Sequence, residues 1–199
     1  MPPIISATPP LWMDATVTKW LGPRRYFYHP NCIEPIRSLA IVSSRLARPF
    51  YEQTNWFAKL KRALAFCQEN NKVLLTSAKT TTNQFLRAYT EKHHIRLATT
   101  TICHTLKQWR TRINNRKVLQ PLECWISPPT DGTSETYHTL KQLPQRDRLL
   151  IGGAHEVFVI DCRHKSKTQQ LLNLRKQEIG LLEWSVVSKT RDILNDSTS

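Results

Sequence analysis

The 199-residue chain carries 29 Lys and Arg against 15 Asp and Glu, a formal net charge of +14, with 40% hydrophobic and 9% aromatic residues. That apolar content is enough to bury a core and excludes a wholly disordered chain. No run nears the roughly 18 uninterrupted apolar residues of a membrane span, because the best, Leu149 to Ile160, is broken by Gly152, Gly153, His155 and Glu156.

Taken from the start, residues 1–36 hold Pro2, Pro3, Pro9, Pro10, Pro23, Pro30 and Pro35 together with Trp12, Trp20 and the run Tyr26-Phe27-Tyr28. Proline at that density rules out a long helix, and the aromatics predict an arm packed on a domain, with a short helix near Asp14 to Leu21. The first residues have no basic stretch before an apolar core, so no secretory signal is expected and the cytoplasm is the default location. Ser38 to Ser44 has the length and apolarity of a strand, and after Pro49 a helical period runs through Trp56, Phe57, Leu60, Ala63, Leu64 and Cys67. Lys72 to Ser77 predicts a second strand, followed by a helix opened by a Thr81–Gln84 capping box, with Phe85, Leu86 and Tyr89 on its apolar face.

Ile95 to Cys103 is β-branched and strand-like, and His104 to Asn115 places Leu106, Trp109 and Ile113 on one helical side. Val118 to Ile126 predicts a fourth strand, 128–133 a loop, and Gln145 to Ile151 a helix begun after Pro144 and ended by Gly152-Gly153. Glu156 to Asp161 is the clearest strand. A helix with a Ser166–Gln169 capping box follows, then a last strand over Leu181 to Val187 and a polar tail from 188. Strands alternating with helices predict an α/β, Rossmann-like three-layer sandwich with a largely parallel sheet: one domain over 37–187, preceded by the 1–36 arm and followed by the 188–199 tail.

Charge is unevenly spread along this order. Residues 37–130 carry 16 basic and 4 acidic side chains, whereas 1–36 carry 3 and 2, and 131–199 carry 10 and 9. A field concentrated in this way attracts polyanions, although a solvated basic face that keeps a protein soluble has the same composition. In parallel α/β sheets ligands sit at the carboxyl ends of strands, where helix N-termini offer free N–H groups. Three crossings of that kind carry polar residues. The first has Ser43, Ser44 and Arg45; the second has Ser77, Lys79 and Thr80; the third has Asp161, Ser166 and Lys167.

These crossings resemble those of the DprA/Smf DNA-processing proteins and the wider SLOG superfamily of Rossmann-like nucleotide- and DNA-binding domains, over roughly 37–178. Val42-Ser43-Ser44-Arg45 is similar to the family's V-G-S-R, and Ser77-Ala78-Lys79 to its S-G turn. The segment from Arg146 and Arg148 through Gly152 into Val157 to Asp161 is similar to its R-N-R-I-I stretch and the strand after it, with Ser166-Lys167-Thr168 as the closing serine turn. The resemblance implies a Rossmann-like fold and a phosphate-binding role for Ser43, Ser44, Arg45, Ser77, Lys79, Thr80, Arg146, Arg148, Ser166 and Lys167. Asp161 becomes a candidate contact to a ribose hydroxyl. The family's glycines stand here as Ser43, Ala78 or Lys79, and Lys167, which exchanges backbone contact for side-chain charge. The P-G-G-x-G-T-x-x-E signature of the related phosphoribohydrolases is absent.

Nucleic-acid binding without catalysis, with single-stranded DNA favoured, is therefore the expected function. A pocket that binds or hydrolyses a small nucleotide is the alternative, and an interaction module with a dead pocket is a third reading. No P-loop, G-x-S-x-G or H-E-x-x-H motif nominates a catalyst. The pairs His29 with Cys32, Cys103 with His104, and Cys162 with His164 lack closed zinc-site spacing, so neither a metal nor another cofactor is expected. The five scattered cysteines read as reduced thiols. Trp109, among Lys107, Arg110 and Arg112, is either a core residue, the favoured reading, or a base-stacking platform.

Overall fold

The computed structural model describes residues 2–30, 36–43, 55–115, 119–130, 138 and 140–179. In chain order the described elements are β1 (Ile4–Ser6), α1 (Thr16–Leu21), β2 (Tyr26–Tyr28), β3 (Ser38–Ser43), α2 (Asn55–Glu69), β4 (Val73–Ser77), α3 (Thr81–Lys92), β5 (Leu97–Ile102), α4 (Leu106–Asn114), β6 (Glu123–Ile126), α5 (Gln145–Gly153), β7 (Glu156–Asp161) and α6 (Lys167–Ile179). The seven strands form one sheet in the order β1-β2-β6-β5-β4-β3-β7. Five of them, from β6 to β7, run parallel, and β2 and β1 extend the sheet antiparallel beyond β6. This is the α/β sandwich that the alternating pattern predicts. The strand expected over Leu181 to Val187 and the tail lie outside the described residues.

The chain moves outward from β3 through β4 and β5 to β6, then returns to place β7 on the other side of β3. Connections that travel in opposite directions put their helices on opposite faces when each crossover is right-handed. The packing agrees. On one face Phe57, Leu60 and Leu64 of α2 and Leu86 of α3 cover Leu39, Leu74 and Ile160. On the other, Val17 and Leu21 of α1 and Leu149 of α5 cover Ala40, Leu75, Cys124 and Ile126. Strand β4 is buried along its whole length because both faces are covered.

The N-terminal arm is an integral part of the domain. Tyr26 faces one layer and Phe27 the other, where its ring lies 5.5 Å from that of Trp125. Helix α1 is only six residues long, so its exposed carbonyls need partners from elsewhere. Arg148 supplies one by donating from Nη1 to the Trp20 carbonyl at 3.0 Å, and Arg24 supplies another from Nε to the Leu21 carbonyl at 3.0 Å. Cations at a helix C-terminus also complement its dipole.

Helix α1 reaches α5 closely because α5 ends in two glycines. A Cβ on Gly152 would stand 2.9 Å from the Trp20 ring, and one on Gly153 would stand 3.0 Å from Met13 Cε. Arg175 of α6, 2% exposed, closes the contact by donating to the carbonyls of Gly152 at 3.4 Å and Ala154 at 2.6 Å and to Asp14 Oδ2 at 3.2 Å. Asp14 in turn accepts from the Thr16 N–H at 2.8 Å. Burial works against the Asp14 carboxylate, but its hydrogen bonds with Thr16 and the Arg175 charge outweigh it and hold the pKa below the usual value. Substituting Gly152→Ala is expected to cost about 1–3 kcal/mol by overpacking against Trp20, read as a fall of several degrees in melting temperature; an unchanged melting temperature would mean the α1–α5 contact is not tight.

Candidate nucleic-acid interface

The carboxyl ends of β4 and β5 open into a cleft of about 360 Å³, within the range of about 300–1,000 Å³ usual for ligand sites. Its described walls are the turn Ser77-Ala78-Lys79, the end of β5 from Thr101 to His104, Gln108 and Arg112 of α4, and Pro144, Gln145 and Arg146 at the start of α5. Helix α4 belongs to one face of the sheet and α5 to the other, so the cleft straddles the sheet edge. Lys79, Arg112 and Arg146 bring three cations to it, and no carboxylate is among the described residues that line it.

Each wall has a local cause. Lys79 sits at φ 62°, in the left-handed region that a non-glycine residue enters at a cost of roughly 1–2 kcal/mol. The chain thereby turns sharply off β4, and Thr80, at φ −118° and ψ 151°, caps α3 by accepting from the Asn83 N–H at 2.9 Å. The capping box expected at Thr81 and Gln84 is corrected by this geometry: the left-handed turn at Lys79 starts the helix one residue sooner, and Thr80 is the cap. Helix α4 is capped by Thr105, whose Oγ1 accepts from the Gln108 N–H at 3.2 Å, while Gln108 Oε1 accepts from the His104 N–H at 2.9 Å. Helix α5 starts at Gln145, with Pro144 at its cap position, no side-chain cap hydrogen bond and Asp147 in its first turn.

Burial pushes the Cys103 thiol up, although Arg112 and Lys79 act in the opposite sense. The cleft therefore holds a neutral thiol in place of a reactive thiolate. Arg112 is braced by its guanidinium lying 5.2 Å from the centre of the Trp125 ring.

Of the residues picked out by sequence, Ser77, Lys79 and Arg146 come together in this cleft, and Thr80 adjoins it as the cap of α3. Arg148 does not join them. It is 3% exposed and turned toward the Trp20 carbonyl, which corrects its reading as a phosphate ligand: α1 needs a cation at its C-terminus, and Arg148 fills that need. Ser43 ends β3 with its hydroxyl accepting from Trp56 Nε1 at 3.0 Å, while Ser44 and Arg45 lie outside the described residues. The Asp161 backbone pairs with Ser43 across a register shift, and its side chain is outside the described set.

Ser166 caps α6 as expected, accepting from the Gln169 N–H at 3.1 Å, with Gln169 Oε1 accepting from the Lys165 N–H at 2.6 Å. Lys165 occupies the left-handed region at φ 57°, so the β7–α6 crossing repeats the arrangement of Lys79 before α3. Lys167 is exposed at the start of α6. Asp147 of α5 accepts from Thr168 of α6 at 3.2 Å, which sets Arg146 and Lys167 on adjoining helix starts. The basic edge therefore extends from Arg112 beside β5, past Lys79 at β4, to Lys165 and Lys167 at β7. That spans three strand spacings, or roughly 14 Å.

Arg112, His104 and Gln108 are the site residues that sequence reasoning missed. Their signal was present in Thr105-Leu-Lys-Gln108, whose spacing repeats that of Ser166–Gln169. Trp109 is buried with Phe27, Cys103, Leu119 and Trp125, a core residue in place of a stacking platform. Among the described residues no group of three or more His, Cys, Asp and Glu is placed to hold a metal ion. Comparison of the chain with protein-family models, with curated proteins and with solved structures gives no match.

Burial raises the Asp147 carboxyl pKa above its usual value, against the Thr168 hydrogen bond and the Arg146 charge, which lower it. A carboxyl whose folded pKa exceeds its unfolded one binds its proton better when folded, so its ionised form costs stability at neutral pH and that cost fades as pH falls through the folded pKa. Asp147→Asn keeps an acceptor for Thr168 and is expected to raise the melting temperature at pH 7, with the gain shrinking toward pH 4. A gain independent of pH, or none, would contradict this assignment in a series of thermal melts.

Proposed function

We propose that the chain binds single-stranded nucleic acid, with DNA favoured, across the carboxyl edge of its parallel sheet and without catalysing a reaction. The observation that carries this reading is the set of Lys79, Arg112 and Arg146 around one cleft whose described lining includes no carboxylate. An isolated cation pocket would serve one phosphate. Here Lys165 and Lys167 prolong the basic edge over roughly 14 Å, which favours a backbone carrying several phosphates.

The resemblance of the crossings to DNA-processing proteins supports the same ligand class. Lysine at the left-handed position 79, set against a glycine turn in the resembled family, supports contact to phosphate through side-chain charge in place of close backbone approach. A small nucleotide is the second reading, favoured by the cleft volume of about 360 Å³. The described cysteines are free thiols, which supports a reducing compartment such as the cytoplasm. Among the described residues no helix is long and apolar enough to cross a membrane.

The test is fluorescence anisotropy of a labelled single-stranded oligonucleotide at low and moderate salt, with a mononucleotide as competitor. Binding is expected to weaken steeply as salt rises, because phosphate neutralisation releases counterions, and mononucleotide is expected not to displace the oligonucleotide. Lys79→Gly suits the local φ, so the variant should keep or gain thermal stability while losing affinity. Full displacement by mononucleotide would favour the small-nucleotide reading, and absence of binding at low salt would dismiss the nucleic-acid one.

A further inference from the structure

The cleft concentrates positive charge that nothing in its described lining offsets. Lys79, Arg112 and Arg146 reach it from three elements: the β4–α3 turn, α4 and the start of α5. Lys79 and Arg112 both act on the thiol of Cys103, a lining residue, so the two charges meet at one place in the cleft. Burial keeps that thiol protonated and neutral. The carboxyl that follows Arg146 in α5, Asp147, accepts from Thr168 of α6 at 3.2 Å and is not part of the described lining. The carbonyl oxygens of the two lining glutamines are engaged as well: Gln108 Oε1 by the His104 N–H at 2.9 Å, and Gln145 Oε1 by Arg24 Nη2 at 2.6 Å. Arg112 rests over the Trp125 ring at 5.2 Å, which positions its guanidinium before a ligand arrives.

An internal phosphodiester brings a single negative charge and two free oxygens. A phosphomonoester brings about 1.5–2 charges at neutral pH and three acceptor oxygens. Three cations around one cleft of about 360 Å³ are left with less unneutralised charge by the second than by the first. We infer that the cleft seats the terminal phosphate of a single strand, a phosphomonoester at its 5′ or 3′ end, with Lys79, Arg112 and Arg146 around the phosphate oxygens. The nucleotides that follow run along the basic edge toward Lys165 and Lys167, and these added contacts keep a strand ahead of a mononucleotide in competition. The inference deepens the nucleic-acid reading by naming which phosphate the cleft selects, and it rests on that reading for the strand attached to it.

The experiment is anisotropy competition on the full chain, in which a labelled hydroxyl-ended oligonucleotide is displaced by unlabelled strands of one sequence bearing a 5′-phosphate, a 3′-phosphate or neither. A hydroxyl-ended strand two nucleotides longer carries the same charge as the phosphorylated ones and serves as the reference. One phosphorylated end is expected to compete about tenfold better than that reference. Arg112→Gln and Arg146→Gln are each expected to bring the ratio to about one. Lys167→Gln, outside the cleft, should weaken every strand and keep the ratio. Arg146 is exposed, so its variant carries the test should Arg112→Gln not fold. Strands that compete in proportion to their charge alone, or a preference that survives both cleft substitutions, overturn the terminal seat and spare the nucleic-acid reading. If no strand binds while a nucleoside monophosphate raises the melting temperature of the wild type and not of Arg146→Gln, the phosphomonoester seat stands and the nucleic-acid reading falls. No response to either overturns both.

Discussion

The contact of α1 with α5, locked by Arg175, is the constraint on which the described site depends. Helix α5 supplies Pro144, Gln145 and Arg146 to the cleft, yet its own sequence does not decide where its start will lie. Its end is fixed by Trp20 seated over Gly152 and by the Arg175 guanidinium bonding Gly152, Ala154 and Asp14 together. Removing Asp14 would leave the buried Arg175 guanidinium without its carboxylate partner, which costs stability. The arm is thereby tied to the helix that lines the cleft. The same logic puts Arg24 and Arg148 in the interior, where they complete a helix too short to satisfy itself.

Two groups among the described basic residues differ in their physics. Arg24, Arg148 and Arg175 are buried and bonded to carbonyls, and they hold the fold together. Lys79, Arg146, Lys165 and Lys167 are exposed along the carboxyl edge, where like charges repel one another. Two of these lysines also hold left-handed backbones. Like charge gathered at the edge where the parallel strands all end supports the proposed anionic ligand; left-handed backbone does not single that edge out, because Asn71 and His94 share it ahead of β4 and β5.

Much of the architecture was legible in the sequence because it rests on periodicity. Val73 to Leu75 is apolar without alternation, as a strand covered on both faces must be, and α2 and α3 show their inward stripes at Phe57, Leu60, Leu64 and Leu86. The arm was legible as packed aromatics but not as strands, since three residues such as Ile4–Ser6 or Tyr26–Tyr28 are too few to show a period. Lys79 was legible in the site because crossings at strand ends can be located from the pattern alone, whereas Arg146 was picked out only by the resemblance of its segment to the R-N-R-I-I stretch. Arg148 was misplaced because sequence cannot tell an arginine that meets solvent from one that completes a helix 128 residues away. Arg112 and His104 were missed because α4 joins the cleft through the sheet order, which long-range packing sets.

Whether a polyanion lies along the carboxyl edge of the sheet is tested most directly by amide hydrogen exchange measured with and without a single-stranded oligonucleotide. Slower exchange at 77–80, 101–108, 144–146 and 165–167, with the arm at 4–28 unchanged, is the predicted result. Protection confined to the arm or to the α2–α3 face, with the four edge segments unaffected in a complex shown to have formed, would contradict it.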